Sequence, residues 1–101
     1  MTYKIKPLQR KKAKALNLTI KPSKNKMKKV DVFDKDGNKL ASIGGVRKDG
    51  SYYGDYATFI IEKGKEKADK IRLRYLKRHR KEPKEKDGKK TPSWYADNIL
   101  W

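Results

Sequence analysis

Between residues 30 and 43 two short runs rich in apolar and β-branched residues stand on either side of a polar stretch. Val30, Val32 and Phe33 precede the turn sequence Asp-Lys-Asp-Gly-Asn, and Leu40 and Ile43 follow it. Short runs of strand-forming residues on both sides of an Asp-Gly turn are typical of a β-hairpin. The pattern therefore predicts two antiparallel strands.

The glycine-rich stretch that follows predicts further turns and one more short element. Gly44 and Gly54 bound this stretch, and the aromatic pair Tyr52 and Tyr53 between them indicates a third short strand. Residues 55–61 fit a strand or the start of a helix equally well, because so short an apolar run has no diagnostic period.

Residues 65–81 have the period of an amphipathic helix. Ala68, Ile71, Tyr75 and His79 recur at spacings of three and four residues, so they share one side of such a helix. The opposite side is almost wholly positive, unlike the mixed charges of an ordinary solvated face. Its cations are Lys67, Lys70, Arg74, Lys77, Arg78 and Lys81.

The two ends of the chain contrast in charge. Residues 1–29 carry eleven basic side chains and no acid, and residues 7–16 within them predict a short helix that begins at Pro7. Residues 82–92 have the composition of a charged linker. Residues 93–101 contain no Lys or Arg and hold both tryptophans, so we expect them to pack into the core.

Together these elements predict an α+β fold class. We expect a small antiparallel sheet of two or three strands, packed by one long basic amphipathic helix, with a basic N-terminal arm and a C-terminal aromatic segment. Residues 1–29 form the basic N-terminal arm with its short helix, and residues 30–101 form the small α+β domain. Of the 101 residues 35% are hydrophobic, so the core is expected to be small.

Charge determines the class of partner. The 29 Lys and Arg residues outnumber the 12 Asp and Glu residues, which gives a formal net charge of +17. Such a protein attracts polyanions: nucleic acid, an anionic membrane or an acidic protein surface. The sequence contains no Cys, and no apolar run approaches the roughly 18 residues of a membrane-spanning helix or matches a secretory signal. We therefore predict a soluble, unexported protein with no membrane partner.

The sequence offers no constellation for catalysis or metal binding. Asp34, Asp36 and Asn38 have the spacing of the first ligands in a calcium loop, but Gly37 stands two places too early and no Glu closes the loop. A hairpin turn is the better interpretation. His79 is the single histidine, and the acids are scattered among cations. We predict a non-enzymatic protein without catalytic residues, cofactor, metal or small-molecule substrate.

The charged and aromatic residues divide into a structural group and a binding group. Arg72 projects from the apolar side of the predicted helix, so we expect it to pair with Asp55 or Asp97 inside the fold. The structural group also includes Tyr75, His79, Trp94, Tyr95 and Trp101. The group predicted to bind the partner consists of Arg10, Lys11, Lys12, Lys14, Lys67, Lys70, Arg74, Lys77, Arg78 and Lys81.

Three stretches resemble one family of small basic proteins. They are residues 54–60, the pattern Arg72-x-x-Tyr75-x-x-Arg78-His79, and the terminal Tyr95-Ala96-Asp97-x-Ile99-Leu100-Trp101. The similar proteins are encoded by large double-stranded DNA viruses and by tailed phages, including crAss-like phages. The resemblance implies a virion-associated protein and, among phages, a small auxiliary head protein.

The sequence is compatible with two functions. The first is an auxiliary (minor) capsid protein whose arm and helix bind acidic surfaces of the major capsid protein, assembled in the host cytoplasm and located in the virion. The alternative is a nonspecific DNA-binding protein that contacts phosphates of the packaged genome. Charge favours both equally, and the apolar end of the chain favours the first because it suits a protein interface.

Overall fold

The computed structural model describes residues 3–101, which form a small sheet with helices around it. This part of the chain contains four α-helices, a three-stranded antiparallel sheet and a two-stranded hairpin, so the α+β class is confirmed. The elements in chain order are α1 (Pro7–Ala15), β1 (Thr19–Pro22), β2 (Val30–Phe33), β3 (Lys39–Ile43), α2 (Tyr56–Lys63), α3 (Lys65–His79), β4 (Glu85–Lys86), β5 (Lys89–Lys90) and α4 (Pro92–Ile99).

The three-stranded sheet has β2 at its centre. Ile20, Val32 and Ala41 lie opposite one another across the three strands, and Val30 lies opposite Ile43. All five side chains are buried, because alternate positions of a strand point to the same face of the sheet. The predicted hairpin of β2 and β3 is therefore confirmed, with its apolar face in the core.

Asp34 holds the turn between β2 and β3. Its carboxylate accepts the backbone N–H groups of Asp36 and Asn38, both at 2.9 Å, and Gly37 has a φ of +85°. Glycine adopts this left-handed conformation without steric cost. Turn geometry thus explains the calcium-like spacing of these residues.

The third strand of the sheet is β1, where the apolar pattern predicted none. The strand predicted at Tyr52 and Tyr53 is wrong, because the structure has a single bridge there between Val46 and Tyr52. A turn explains the difference: the Gly50 N–H donates to the Arg47 carbonyl at 2.9 Å, and this turn takes up most of the residues between the bridged pair.

The basic first segment contributes to the core. Tyr3, Ile5, Ala13 and Ile20 are buried, and α1 packs against β1 and α4. These side chains belong to the same cluster as those of β2 and β3. The segment predicted as a basic arm is therefore packed into the domain.

A buried polar cluster joins the first segment to α2. The Asp55 carboxylate is fully buried and contacts the Lys29 ammonium at 3.0 Å and the Tyr3 hydroxyl at 2.5 Å. Gln9 donates to the same hydroxyl at 2.8 Å, and the second Asp55 oxygen accepts the Thr58 N–H at the start of α2. One carboxylate thus fixes three segments that are far apart in the sequence.

Helices α2 and α3 form a packed pair separated by Gly64, whose φ is +88°. Residues 55–61, which the pattern left open, begin α2. Helix α3 buries Ala68 and half-buries Ile71 and Tyr75. The sequence placed this long helix across the sheet, but its main packing partner is α2, and α4 packs against β3 instead.

The last residues close the core, as the sequence predicted. Pro92 begins α4, and the Thr91 hydroxyl accepts the Trp94 N–H at 3.4 Å. Trp94 is half-buried and packs edge-to-face against Tyr95, with ring centroids 5.3 Å apart. The buried side chains of this end are Tyr95, Ile99, Leu100 and Trp101.

Candidate polyanion-binding surface

One side of α3 carries a row of exposed cations, which we term the α3 stripe. A period of 3.6 residues places Lys67, Lys70, Arg74 and Lys77 on the side away from Ala68, and all four side chains are exposed. The row is about 15 Å long at roughly 1.5 Å of rise per residue. The α3 stripe is therefore a rigid line of positive charge, because a helix fixes the spacing of its cations.

Arg78 and Lys81 extend the positive charge beyond the α3 stripe. Both are exposed, as predicted partner contacts must be. Lys81 lies two residues past the end of α3, and Arg78 lies at the edge of the exposed side, one turn after Arg74, where it also borders a groove. The six cations predicted on this helix therefore divide between a stripe of four and two flanking positions.

Carboxylates of the chain leave the α3 stripe uncompensated. Lys65 forms the one ion pair within α3, with Asp69 at 2.9 Å, and it is not a stripe residue. Across residues 3–101, the cations in ion pairs are Lys29, Lys39, Lys65, His79, Lys84 and Lys90. The charge of the α3 stripe is therefore available to an external anion.

Helix α1 presents a second, smaller group of cations. Gln9 and Ala13 face the core, so Arg10, Lys11 and Lys14 are left on the exposed side of the helix. The two basic helices thus both direct charge to solvent, as the sequence predicted for these residues.

Lys12 and Arg72 meet at the backbone carbonyl oxygen of Trp101. The Lys12 ammonium donates to this oxygen at 3.0 Å, and the Arg72 Nε–H donates to it at 2.5 Å. The Tyr56 ring centroid lies 5.1 Å from the ammonium and 5.7 Å from the guanidinium. Burial, together with the Arg72 charge, lowers the pKa of Lys12. Lys12, predicted as a partner contact, therefore has a packing role as well.

Arg72 is internal, as predicted, but the predicted carboxylate partners are wrong. Asp55 is occupied by Lys29, and Asp97 contacts the Lys84 ammonium at 2.7 Å. Arg72 instead donates to the main-chain oxygen of Trp101, which follows α4 in the chain. Arg72 therefore links α3 to the residues after α4.

Tyr75 lies between two other rings. The Trp101 ring is 4.1 Å away with planes 9° apart, and the His79 ring is 4.2 Å away with planes 26° apart. Two rings cannot share one face at these distances, so they cover opposite faces. Burial, with the nearby Asp97 charge, raises the pKa of Tyr75 to about 12. His79 Nδ1 contacts Glu82 at 2.8 Å, which anchors the outer end of the stack.

A groove of about 610 Å³, which we term the aromatic groove, lies beside this stack. Tyr53 and Phe59 line it together with the stacked rings. Its exposed cations are Lys28, Arg47 and Arg78. The groove therefore combines ring surface with positive charge in one place.

No family model, curated protein or solved structure matches this chain. The resemblance to virion-associated proteins therefore stays a prediction that depends on the residues quoted for it. The function has to be inferred from the surface chemistry of the molecule.

Sequence reasoning missed the aromatic groove, because its residues come from distant segments. The local signal for it was the glycines. A Cβ at Gly45 would lie 2.9 Å from the Tyr53 ring, and one at Gly54 would lie 2.3 Å from the Phe59 ring. Glycine beside an aromatic residue often marks such a close approach of ring to backbone.

The geometry also bears on metal sites and on membrane-spanning helices. Within residues 3–101, His, Asp and Glu side chains do not gather in groups of three or more that could hold a metal ion. The helices in the same part of the chain lack the length and apolar character needed to cross a bilayer.

Proposed function

We propose that this protein is a non-enzymatic structural component of a double-stranded DNA virus or phage particle, an auxiliary capsid protein that binds an acidic surface of the shell. The main support for this proposal is that the cations of the α3 stripe form no ion pair within the described residues. An acidic surface opposite the stripe would attract and orient the protein.

The packing of α3 joins the two sequence patterns from which the resemblance was inferred. Arg72, Tyr75 and His79 belong to one pattern of the resemblance, and Trp101 belongs to the other. In the structure Arg72 bonds the Trp101 carbonyl and Tyr75 stacks on the Trp101 ring. The two patterns therefore pack against each other in this chain.

The buried end of the chain removes one argument for a protein partner. The apolar terminal segment was expected to suit a protein interface, but Ile99, Leu100 and Trp101 are in the core. The exposed sides of α1 and α3 are made of cations, which suit phosphates as well as carboxylates. This observation supports nonspecific binding to the packaged DNA as a second candidate function.

The location of the protein in particles separates the two candidates. Particles of the virus that encodes this chain would be purified, opened by osmotic shock and digested with nuclease. We expect the protein to sediment with the emptied shell. Release in proportion to the digested DNA would contradict the capsid function and support the second candidate.

Variants show whether the α3 stripe mediates this attachment. The K70E/R74E/K77E variant should be absent from particles, because attraction to the acidic surface becomes repulsion. The matched control is K26E/K35E/K48E, which changes three exposed lysines outside the stripe and has the same net charge. Equal incorporation of both variants would show that the stripe is not the contact.

A further inference from the structure

The aromatic groove exposes ring surface that the core does not use. The Tyr53 side chain is 52% exposed, although most rings of a small protein are covered by packing. At the outer end of the stack, the His79 side chain is 33% exposed. Phe59 and Tyr75 also line the groove, but Trp101 and His79 cover both faces of the Tyr75 ring. A planar ligand would therefore meet exposed ring surface at Tyr53 and at His79.

Positive charge surrounds these rings. The Arg47 guanidinium lies 4.6 Å from the Tyr53 ring centroid, and Lys28 and Arg78 are further exposed cations of the groove. Glu82 is the acidic residue of the lining, and its two carboxylate oxygens already contact the His79 imidazole and the Ser93 hydroxyl. Positive potential therefore dominates where a ligand would enter.

From the rings and cations together, we infer that the aromatic groove binds unpaired nucleotides of a single-stranded nucleic acid. Bases stack on aromatic side chains, while Arg and Lys contact the phosphates between them. A duplex keeps its base faces inside its own stack, and an acidic peptide offers charge without planar faces. The inference goes beyond the proposed function, because no lining residue of the groove belongs to the α3 stripe.

The decisive comparison is between two substitutions of one exposed ring. Tyr53→Leu removes the aromatic face but keeps an apolar side chain beside Gly45, whereas Tyr53→Phe keeps the ring. Binding would be measured by fluorescence anisotropy with labelled dT12 and with a 12-base-pair duplex. We expect Tyr53→Leu to weaken dT12 binding by about fivefold or more, Tyr53→Phe to stay near the wild type, and duplex binding to be unchanged.

A second pair of variants tests the cations, and its two members have the same net charge. Arg78→Gln removes a cation of the groove, and Arg74→Gln removes one of the α3 stripe. We expect Arg78→Gln to reduce the preference for dT12 over the duplex, whereas Arg74→Gln should weaken both probes in proportion. Thermal melts followed by circular dichroism would confirm that all four variants are folded.

Two results would overturn the inference. One is equal binding of dT12 by Tyr53→Leu and Tyr53→Phe. The other is a loss of affinity for poly-L-glutamate in Tyr53→Leu that equals its loss of affinity for dT12. That result would assign the groove to acidic peptides. Neither result bears on the α3 stripe, which K70E/R74E/K77E tests separately, so the two proposals fail independently.

Discussion

At the scale of single residues, Asp55 holds the interior together. Burial works against its ionised form, but the Lys29 charge and the hydrogen bonds from Tyr3 and Thr58 outweigh burial, and the pKa of Asp55 lies below its ordinary value of 3.8. A carboxyl group whose pKa is lowered by folding stabilises the native state above its unfolded pKa. That stabilisation is lost as the pH falls through the folded pKa.

We therefore expect the melting temperature of the protein to fall steadily below about pH 4. Asp55→Asn should cost about 3 kcal/mol or more at neutral pH, because it leaves the Lys29 charge buried without a partner. Its melting temperature should then change less between pH 4 and pH 2 than that of the wild type. Asp36→Asn, at an exposed turn position, is the control. An Asp55→Asn protein with wild-type pH dependence would contradict this role.

Arg72 and Arg74 are two positions apart on α3 but have opposite environments. Arg72→Glu removes the hydrogen bond to the Trp101 carbonyl and brings a carboxylate against that oxygen, so we expect a loss of about 1.5 to 3 kcal/mol or more in unfolding free energy. Arg74→Glu, on the exposed stripe, should change it by about 0.5 kcal/mol or less. Urea denaturation measures both. Equal stabilities would mean that Arg72 has no structural role.

At the scale of elements, the sequence correctly predicted the secondary structures whose patterns extend over several residues. The hairpin of β2 and β3 has strand-forming residues on both sides of an Asp-Gly turn, and α3 has four turns of consistent period, so local sequence determines both. Strand β1 was missed because Ile20 is its one buried residue, and pairing with β2 rather than local pattern selects its conformation.

The predicted linker of residues 82–92 contains a short hairpin that the sequence did signal. Strands β4 and β5 pair around Asp87 and Gly88, whose φ angles of 53° and 78° match the turn that Asp-Gly favours. Its strands are two residues long and wholly exposed, so no apolar alternation accompanies the turn. The segment was therefore predicted to be a linker from its charge, although its Asp-Gly pair indicated a turn.

The end of the chain is an element on which the whole core depends. Deletion of residues 94–101 should abolish cooperative unfolding, since it removes four buried side chains worth roughly 1.5 to 3 kcal/mol each. The milder Trp101→Ala should cost about 3 to 5 kcal/mol. Calorimetry of both proteins provides the measurement. A truncated protein with an unchanged transition would show that this segment is an external docking peptide.

At the scale of the whole molecule, only one of the two proposed binding surfaces could be predicted from the sequence. The α3 stripe follows from the helical period and from charge, both of which are local properties. The aromatic groove does not, because it assembles Lys28, Arg47, Tyr53, Arg78 and Trp101 through tertiary contacts. Likewise, Arg72 was correctly placed inside the fold, but its partner depended on where α4 returns the chain.

The central claim is that a defined surface, rather than net charge alone, binds the acidic partner. Its most direct test is the affinity of K70E/R74E/K77E and of K26E/K35E/K48E for poly-L-glutamate and for duplex DNA at one salt concentration. We predict that the first variant binds both polyanions at least about tenfold more weakly than the second, because like charges then face the ligand at the stripe. Equal affinities of the two variants would contradict the claim.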